Sequence, residues 1–297
     1  MQVKRILCPV DFSDFSVKAY DYAQSLAGRY RAELYVLNVQ HWNEILSDEP
    51  CLSWAPATAL CELNDAFLQE IQKHLQKFVE IHTHIGIRPT SLVREGDAAD
   101  HILFFARDQK VDLVVMGTHG RRGLDRLMLG SVTERVLRNA PCRVLVVRKP
   151  THDFIVPENT GSPVLLHRIL CCTDFSSPSE KAMKHALFLS EEYEAELTLV
   201  HVLEDTPYGI TAEEQTAKAT QHLEQLLSPG LPRKCAVKTA VLTGRAYEQI
   251  IRLASETDTD LTVMGVRGRN ALDVAVFGST TYRVIQLGSC PVLVVHA

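Results

Sequence analysis

The sequence predicts an α/β protein of two tandem domains, each a doubly wound unit built on a five-stranded parallel sheet. Three observations support this fold class. The chain has 297 residues, the length of two ordinary domains. Short runs rich in Val, Ile and Leu alternate with longer amphipathic patterns, as expected for buried parallel strands separated by helices. The second half of the chain also repeats the first.

The repeat is seen in three pairs of segments: 5–16 with 168–179, 32–39 with 195–202, and 117–147 with 265–295. The first two pairs are offset by 163 residues and the third by 148, with 15 of its 31 positions identical. Two copies of this length indicate homologous domains and not a solenoid, whose period is shorter. The change of offset indicates about fifteen extra residues in the first half.

We place these extra residues in the segment 41–60, which contains Trp42 and Trp54. It is either a lid or partner surface, or a variable loop packed on its own domain. We expect domain 1 at residues 1–150, a linker at 151–163 and domain 2 at 164–297, because the linker is rich in Pro, Asn, Gly and Ser.

Within each half, apolar runs predict the strands in order. They are RILCPV, AELYVLNV, DLVVMG and CRVLVV in the first half, and RILCCT, AELTLVHV, DLTVMG and CPVLVV in the second. A weaker third strand is expected near residues 89–96 and 236–244. Helical patterns separate the strands, and we expect the helix over residues 16–30 to be capped at Gly28.

The composition excludes several classes of protein. A net charge of −5 indicates no basic face for nucleic acid. The start MQVKRILCPVDF lacks the apolar region of a secretory signal, and no apolar run is long enough to span a membrane, so a cytoplasmic protein is expected. The eight cysteines include no CxxC motif and are expected to be thiols, with Cys171 and Cys172 pointing to opposite faces of a strand.

The main functional signal is a glycine turn that occurs twice, as GTHGRRGLDRLMLGS (117–131) and GVRGRNALDVAVFGS (265–279). Each turn follows a buried strand and precedes a helical pattern. Ligands of open α/β sheets bind at the carboxyl ends of strands, and a helix N-terminus offers free N–H groups to an anion such as phosphate. Gly117 and Gly120 are expected to allow close backbone approach and positive φ.

The alternative is that these glycines only form turns and that Ser131 only caps a helix. The duplicated spacing favours phosphate binding over this alternative. Neither copy is a Walker A loop or a GxGxxG motif, which argues against the common NTPase and dinucleotide sites.

The G-2x-G-9x-G-S spacing, together with a first strand ending in Pro-Val-Asp, resembles the nucleotide-binding branch of the universal stress protein family in its tandem two-domain form. The resemblance implies a flavodoxin-like or Rossmann-like fold of the adenine nucleotide alpha hydrolase-like type. It also implies a role in stress response, and an ATP or ADP site, with or without Mg²⁺, at the C-terminal edge of each sheet.

The resemblance further implies the residues of each site, with Asp11 at the nucleoside end, the Val39 backbone at adenine, and the glycine turn at ribose and phosphates. The first set is Pro9, Asp11, Val39, Met116, Gly117, His119, Gly120, Gly130, Ser131 and Val132. The second set is Asp174, Val202, Met264, Gly265, Arg267, Gly268, Gly278, Ser279 and Thr280. Pro9, Thr118 and His119 are replaced in the second half by Cys172, Val266 and Arg267, and an arginine pairs well with phosphate.

Several of these residues have a second interpretation. Asp11 and Asp174 also look like helix caps. Arg121 recurs as Arg269, whereas Arg122 and Arg126 have no basic counterpart and fit a solvated surface equally well.

No nucleophile, base or metal motif is present, so we name no catalytic residue, and we expect no metal at His82 and His84, which lack a third ligand. We therefore expect nucleotide binding with little or no hydrolysis. A slow ATPase or phosphotransferase, or an interaction scaffold that does not need nucleotide, are the alternatives.

The last strand of each half is predicted to lie at a sheet edge, where an apolar strand favours pairing. The two strands are expected to pair with each other, so that the chain forms its own two-domain unit, and the resemblance implies further pairing into a homodimer. The alternative is that a loop or helix covers each edge.

Overall fold

The described residues of the computed structural model form ten strands and eight helices. They are residues 3–41, 57–84, 86–118, 129–148, 153–155, 164–204, 211–227, 235–266 and 278–296. The strands are β1 (Arg5–Pro9), β2 (Glu33–Gln40), β3 (Thr90–Glu95), β4 (Leu113–Gly117), β5 (Arg143–Val147), β6 (Arg168–Cys172), β7 (Glu196–Leu203), β8 (Val237–Thr243), β9 (Leu261–Gly265) and β10 (Val292–Val295). The helices are α1 (Asp14–Tyr30), α2 (Ala57–His82), α3 (Ala98–Asp108), α4 (Ser131–Asn139), α5 (Ser177–Tyr193), α6 (Ala212–Leu227), α7 (Ala246–Glu256) and α8 (Ser279–Leu287).

All ten strands belong to one sheet, in the order β3-β2-β1-β4-β5-β10-β9-β6-β7-β8. Each half supplies five parallel strands in the same order, and the halves join where β5 pairs antiparallel with β10. The predicted fold class and the predicted pairing of the two last strands are both confirmed.

The sheet is covered on both faces, which explains its nearly continuous apolar strands. Successive side chains of a strand enter opposite cores: Ile6 packs on the face covered by α1, α2, α5 and α6, and Leu7 on the face covered by α3, α4, α7 and α8. Cys171 and Cys172 divide in the same way, as predicted. Each half is therefore doubly wound.

The seam between the halves has an approximate twofold axis. Leu145 of β5 lies opposite Leu293 of β10, and these two residues occupy equivalent positions in the repeat. Tyr30 and Tyr193, which are also equivalent, meet across the seam with 3.0 Å between their hydroxyl oxygens. The two halves thus pack as a pseudo-dimer within one chain.

Helix α1 does not end at Gly28, contrary to the prediction. It continues to Tyr30, and Arg31 terminates it in the left-handed conformation with a φ of 51°. Glu194 terminates α5 in the same way with a φ of 55°. Non-glycine residues take the left-handed position in both copies, so glycine content was a misleading signal for this helix end.

A short part of the predicted linker packs against α1, and we call residues 153–155 the strap. Asp153 accepts a hydrogen bond of 2.6 Å from the Tyr22 hydroxyl and lies 2.5 Å from the Lys18 ammonium group. Phe154 packs edge-on against the Tyr22 ring, with 4.8 Å between centroids. Ile155 then forms an isolated antiparallel β-bridge with Val164, the first described residue of the second half. The strap is therefore fixed to the first half by both polar and apolar contacts.

Six cysteines have described side chains, and all are free thiols, as predicted: Cys8, Cys142, Cys171, Cys172, Cys235 and Cys290. Burial raises the pKa of Cys142 to about 12 and that of Cys290 to about 11. These two thiols are therefore protonated at neutral pH and act as small apolar groups.

Candidate functional site

The turn after the first strand is built in the same way in both halves. The Asp11 carboxylate accepts hydrogen bonds from the Ser13 backbone N–H (3.1 Å) and hydroxyl (2.6 Å), and Ser13 is the N-cap of α1. Asp174 accepts the same two bonds from Ser176, the N-cap of α5, at 3.2 and 2.5 Å. The interpretation of these aspartates as caps is therefore corrected: each one orients the serine at the N-cap position. The Ser13 side chain accepts the Ser16 N–H, whereas the Ser176 side chain makes no such bond.

The residue after each aspartate has a strained backbone, which the sequence analysis missed. Phe12 and Phe175 have φ values of 64° and 63°, in a region that bulky side chains rarely adopt. Phe12 packs edge-on against Phe78 of α2, whereas Phe175 stacks on His222 of α6 with 4.1 Å between ring centroids. The recurrence of Asp-Phe in both copies was the available sequence signal. Both phenylalanines hold the turn against the helix that follows the second strand.

Each second strand presents a backbone edge beyond the end of the first strand. Leu37 accepts a 2.9 Å hydrogen bond from Val10, so Leu37 faces β1, and Gln40 accepts from Gly96 on the β3 side. Because alternate residues of a parallel strand face the same neighbour, Val39 also faces the β1 side. Strand β1 ends at Pro9, so the Val39 N–H and C=O have no backbone partner there among the described residues.

The second half repeats this arrangement. Val200 accepts a 2.9 Å bond from Thr173 beyond β6, while Leu203 accepts from Gly244 on the β8 side. Val202 therefore presents its N–H and C=O beyond the end of β6, as Val39 does beyond β1. One hydrogen-bond donor and one acceptor are thus offered at equivalent places in the two halves.

Gly117 and Gly265 lie where a strand end touches a helix start. A Cβ atom on Gly117 would lie 2.9 Å from Phe15 Cβ, and one on Gly265 would lie 2.9 Å from the Pro178 carbonyl carbon. The expected close approach is present, although the neighbour is the first turn of α1 or α5. The expected positive φ is wrong for Gly117, since Gly96 and Gly244 are the described glycines with positive φ.

The helices after the glycine turns begin with a glycine N-cap. Gly130 caps α4 with φ −62° and ψ 140°, and Gly278 caps α8 with φ −61° and ψ 125°. Ser131 and Ser279 are the first helical residues and are exposed, so the interpretation of Ser131 as the cap is wrong. A glycine cap has no side chain to pair with the first N–H groups of the helix, and N–H groups of this kind can bind an anion.

Two threonines that the sequence analysis did not single out hold these helices to the sheet. Thr133 donates its hydroxyl to the Gly117 carbonyl oxygen at 3.0 Å, and Thr281 donates to that of Gly265 at 3.1 Å. Because threonine recurs at the same place in both copies, the repeat itself was the missed signal. The two bonds fix each helix start next to the carboxyl end of its strand.

The structure places the other predicted site residues as follows. The side chains of Met116 and Met264 are buried in the sheet core, so only their backbone lies near the edge. Pro9, Val132 and Thr280 are half-buried at the strand end and in the first helical turns. Thr118 and Val266 are both buried, so the lost hydroxyl is an internal difference between the halves. Outside the described residues lie His119, Gly120, Arg121, Arg122, Arg126, Arg267, Gly268, Arg269 and most of segment 41–60.

The described side chains contain no group of three or more His, Cys, Asp or Glu residues placed to hold a metal ion. The His82 ring packs against Phe78, with 4.6 Å between ring centroids, and the His84 backbone N–H donates to Gln24. Across the described part of the chain, no helix is long and apolar enough to cross a bilayer.

Several relatives of known sequence match about half of the chain. A universal stress protein of Methanocaldococcus jannaschii is 38% identical over 151 residues, which cover 50% of this chain and 85% of that protein. The universal stress protein YxiE of Bacillus subtilis is 32% identical over 145 residues, which cover 48% of this chain and 98% of that protein. Each half therefore has the size of a complete relative.

A solved structure matches the whole chain. The crystal structure of a universal stress protein from Archaeoglobus fulgidus aligns with 99% of this chain and 97% of its own, with a TM-score of 0.67 and 24% identity, which supports the fold. The model of the universal stress protein family matches residues 2–148 and again residues 166–296. The chain therefore belongs to the universal stress protein family, in a tandem two-domain form.

Proposed function

We propose that the protein binds one adenine nucleotide, ATP or ADP, at the C-terminal sheet edge of each half. Binding regulates its conformation or its partners in a stress response, with little or no hydrolysis. One observation carries this proposal: both halves combine a glycine-capped helix start with a strand-end N–H and C=O that have no backbone partner among the described residues, at the same sheet edge. If these features served only folding, the glycine-capped helix start and the backbone edge would not need to recur together in both halves.

The glycine-capped helix start suits the phosphate end of the ligand. Gly130 leaves the first N–H groups of α4 without a side-chain cap, and the positive end of the helix dipole favours negative charge. The exposed Ser131 hydroxyl adds a donor at the first helical position. Gly278 and Ser279 supply the same groups in the second half.

The backbone edge suits the adenine end. The Val39 N–H and C=O offer one donor and one acceptor side by side, which complements the ring nitrogen and amino group on one edge of adenine. Val202 repeats this pair. Asp11 and Asp174 lie next to these edges, and each accepts two bonds through one carboxylate oxygen, Oδ1. The carboxylates are acceptors, which suits ribose hydroxyl groups.

Mg²⁺ fits such a site as a partner of the nucleotide. The described side chains supply no three-ligand cluster, and Mg²⁺ commonly binds through substrate phosphates and water with one or two carboxylates. When bound, the ion would neutralise phosphate charge. The chain's own contribution is to orient the phosphates at the helix start.

The test is isothermal titration of the full chain with ATP and with ADP. Ser131→Glu and Ser279→Glu each place a carboxylate at a helix start, where it stabilises the helix but repels phosphate. We expect each single substitution to weaken its own site by at least about tenfold, so that one measurable site remains, and the double variant to show neither site. Ser255→Glu is the control, because it adds the same charge at an exposed serine in the last turn of α7, at the opposite end of that helix from the proposed sites.

Absence of ATP and ADP binding by the unmodified protein would contradict the proposal. Phosphate release should be measured on the same samples. ATP turnover that the two glutamate substitutions abolish would support the slow ATPase. If the protein binds no nucleotide and its assembly is the same with and without nucleotide, the interaction scaffold is supported.

The proposal includes a homodimer. Because β5 and β10 already pair within the chain, a second copy must associate through other surfaces, and β3 and β8 are the outer strands of the sheet. Sedimentation equilibrium should give about twice the mass of one chain. The mass of a single chain would contradict this part of the proposal.

A further inference from the structure

We infer that each nucleotide site is positioned by a residue of the opposite half, so that the two sites are energetically coupled. This inference rests on the proposed function and adds a regulatory property to it. It follows from two crossed hydrogen bonds at the seam.

The residue after each seam strand reaches across to the other half. Arg148 follows β5, and its guanidinium group donates to the backbone oxygen of Gln286, in the last turn of α8. His296 follows β10, and its Nε2 donates to the backbone oxygen of Leu137, in the last turn of α4, at 2.7 Å. Arg148 and His296 are equivalent positions of the repeat, so each half reaches the last turn of the other half's helix. The residue types differ, and the accepting carbonyls lie one position apart in the repeat.

These contacts satisfy helix ends that would otherwise lack partners. The last four carbonyl groups of a helix have no acceptor role within it. The backbone N–H of Gly288 donates to the Val284 oxygen, and that of Ala140 donates to the Val136 oxygen, both at 2.8 Å. Arg148 and His296 each donate a hydrogen bond to one further carbonyl group of the helix that they contact. The positive charge of Arg148 is also stabilised at a helix C-terminus.

Each contacted helix carries a proposed phosphate site at its other end. Helix α8 starts at Ser279 and ends near Arg148, and α4 starts at Ser131 and ends near His296. Both helices have nine residues, so each is about 13 Å long and moves as a short rigid rod. Displacement at the phosphate end is therefore transmitted to the crossed hydrogen bond at the far end.

Each crossing residue is also tied to the glycine turn of its own half. The Thr118 N–H donates to Val147 at 3.2 Å, and Gly130 donates to Thr118 at 2.9 Å, so the first turn is bonded to the residue that precedes Arg148. In the second half, Val266 donates to Val295 at 3.0 Å, next to His296, and Gly278 donates to Val266 at 3.2 Å.

Two mirrored paths result. One leads from the first glycine turn through Arg148 to α8, and the other from the second turn through His296 to α4. Arg148 and His296 are positioning residues, since neither belongs to a proposed ligand contact. A nucleotide bound at one helix start changes how often the crossed hydrogen bond of that half is formed. This changes the nucleotide affinity of the other half.

The experiment uses full-length proteins with one site removed, Ser131→Glu to report on the second site and Ser279→Glu to report on the first. ATP affinity is measured by titration of these proteins and of the unmodified chain. In the unmodified chain, coupled sites bind with affinities that differ from those of the single-site proteins, and identical affinities overturn the coupling. We expect Arg148→Ala to weaken the second site about fivefold more than the first, and His296→Ala to weaken the first site about fivefold more than the second. Arg148→Lys should restore most of the affinity, because lysine keeps a charged donor. Arg252→Ala, on the exposed surface of α7, is the control and should change neither site.

A difference between the two sites is a readout that general destabilisation would not produce, and thermal unfolding of each variant without ligand records stability separately. If Arg148→Ala does not fold, Arg148→Gln takes its place. The inference is overturned if a substitution weakens both sites equally, or if it weakens more strongly the site in the half that contains the substituted residue. It is also overturned if Arg148→Lys does not restore affinity. The proposed function remains intact in each case. Absence of ATP binding by the unmodified chain and by both single-site proteins overturns the two together.

Discussion

The two halves share one backbone path but carry different polar contacts on it. In the first half, the Tyr22 side chain is fully buried and donates to Asp153 of the strap, which also pairs with Lys18. The equivalent residue in the second half is His185, which is half-buried, and burial together with nearby Arg143 lowers its pKa to about 4. One half is therefore fastened by the strap where the other holds a neutral histidine.

The turn after the third strand differs as well. Asp97 caps α3 and pairs with Arg135 at 2.8 Å, and the backbone N–H of Asp100 and the Arg135 guanidinium lower the pKa of the Asp97 carboxyl. The second half has Arg245 at the cap, and the Glu204 carboxylate accepts the first N–H of α7, from Ala246, at 2.8 Å. The same helix start is thus satisfied by a local residue in one half and by Glu204, at the end of the neighbouring strand β7, in the other.

The comparison separates two kinds of residue. Positions that control the backbone recur in both halves: the close-approach glycines, the left-handed phenylalanines and the threonines that hold the helix starts. The polar contacts of the strap and of the third turn have diverged, because several side chains can satisfy the same N–H group. The recurring positions therefore mark what the fold and the proposed site require.

The largest expected effect breaks the strap contact. Tyr22→Ala should lower the free energy of unfolding by about 3–5 kcal/mol, because it removes a buried aromatic ring and its hydrogen bond to Asp153. Urea unfolding measures this. The matched variant His185→Ala should cost about 1 kcal/mol or less. Equal losses in the two variants would show that the strap does not distinguish the halves.

The next effect tests what the halves have in common. Gly117→Ala and Gly265→Ala should each cost about 1–3 kcal/mol, since the added methyl group would meet a helix start at 2.9 Å. Gly86→Ala is the control, because a methyl group there meets nothing within 4 Å. Thermal or urea unfolding measures these losses. If only one of the two glycine substitutions lowers the free energy of unfolding, the close approach is needed in that half alone.

A smaller effect is expected at the third turn. Asp97→Ala should cost about 1–2 kcal/mol through the loss of the α3 cap and one of the two carboxylate partners of Arg135. Arg245→Ala should have little effect, because its side chain makes no cap bond to α7. Chemical unfolding of both variants measures the contrast, and a larger loss for Arg245→Ala would contradict it.

The smallest effect is a pH dependence. The pKa of His185 is about 4 in the fold against 6.5 for an ordinary histidine, so the unfolded chain binds a proton more readily between these values. The stability that depends on neutral His185 is therefore complete above pH 6.5 and lost as the pH falls towards 4. His185→Gln should flatten the slope of unfolding free energy against pH by at most about one proton in this window. An unchanged slope would show that His185 does not titrate in this way.

Much of the fold was predictable because buried parallel strands are apolar on both faces. All ten strands lie where the apolar runs and the two weaker segments placed them. The capped end at Gly28 was wrong because Arg31 terminates α1 instead. At the candidate site, the glycine spacing located the helix starts, but Thr133, Thr281 and the left-handed phenylalanines were missed, since their roles depend on contacts with distant strands and helices.

The sequence alone determined the tandem α/β architecture, the glycine turns and the pairing tendency of the last strands, because periodicity and repetition are local properties. Only the tertiary structure decided that Asp11 orients a capping serine, that Val39 and Val202 extend beyond the end of the neighbouring strand, and that Arg148 and His296 cross the seam. These features depend on where one segment stops relative to another, and three-dimensional packing controls that relation.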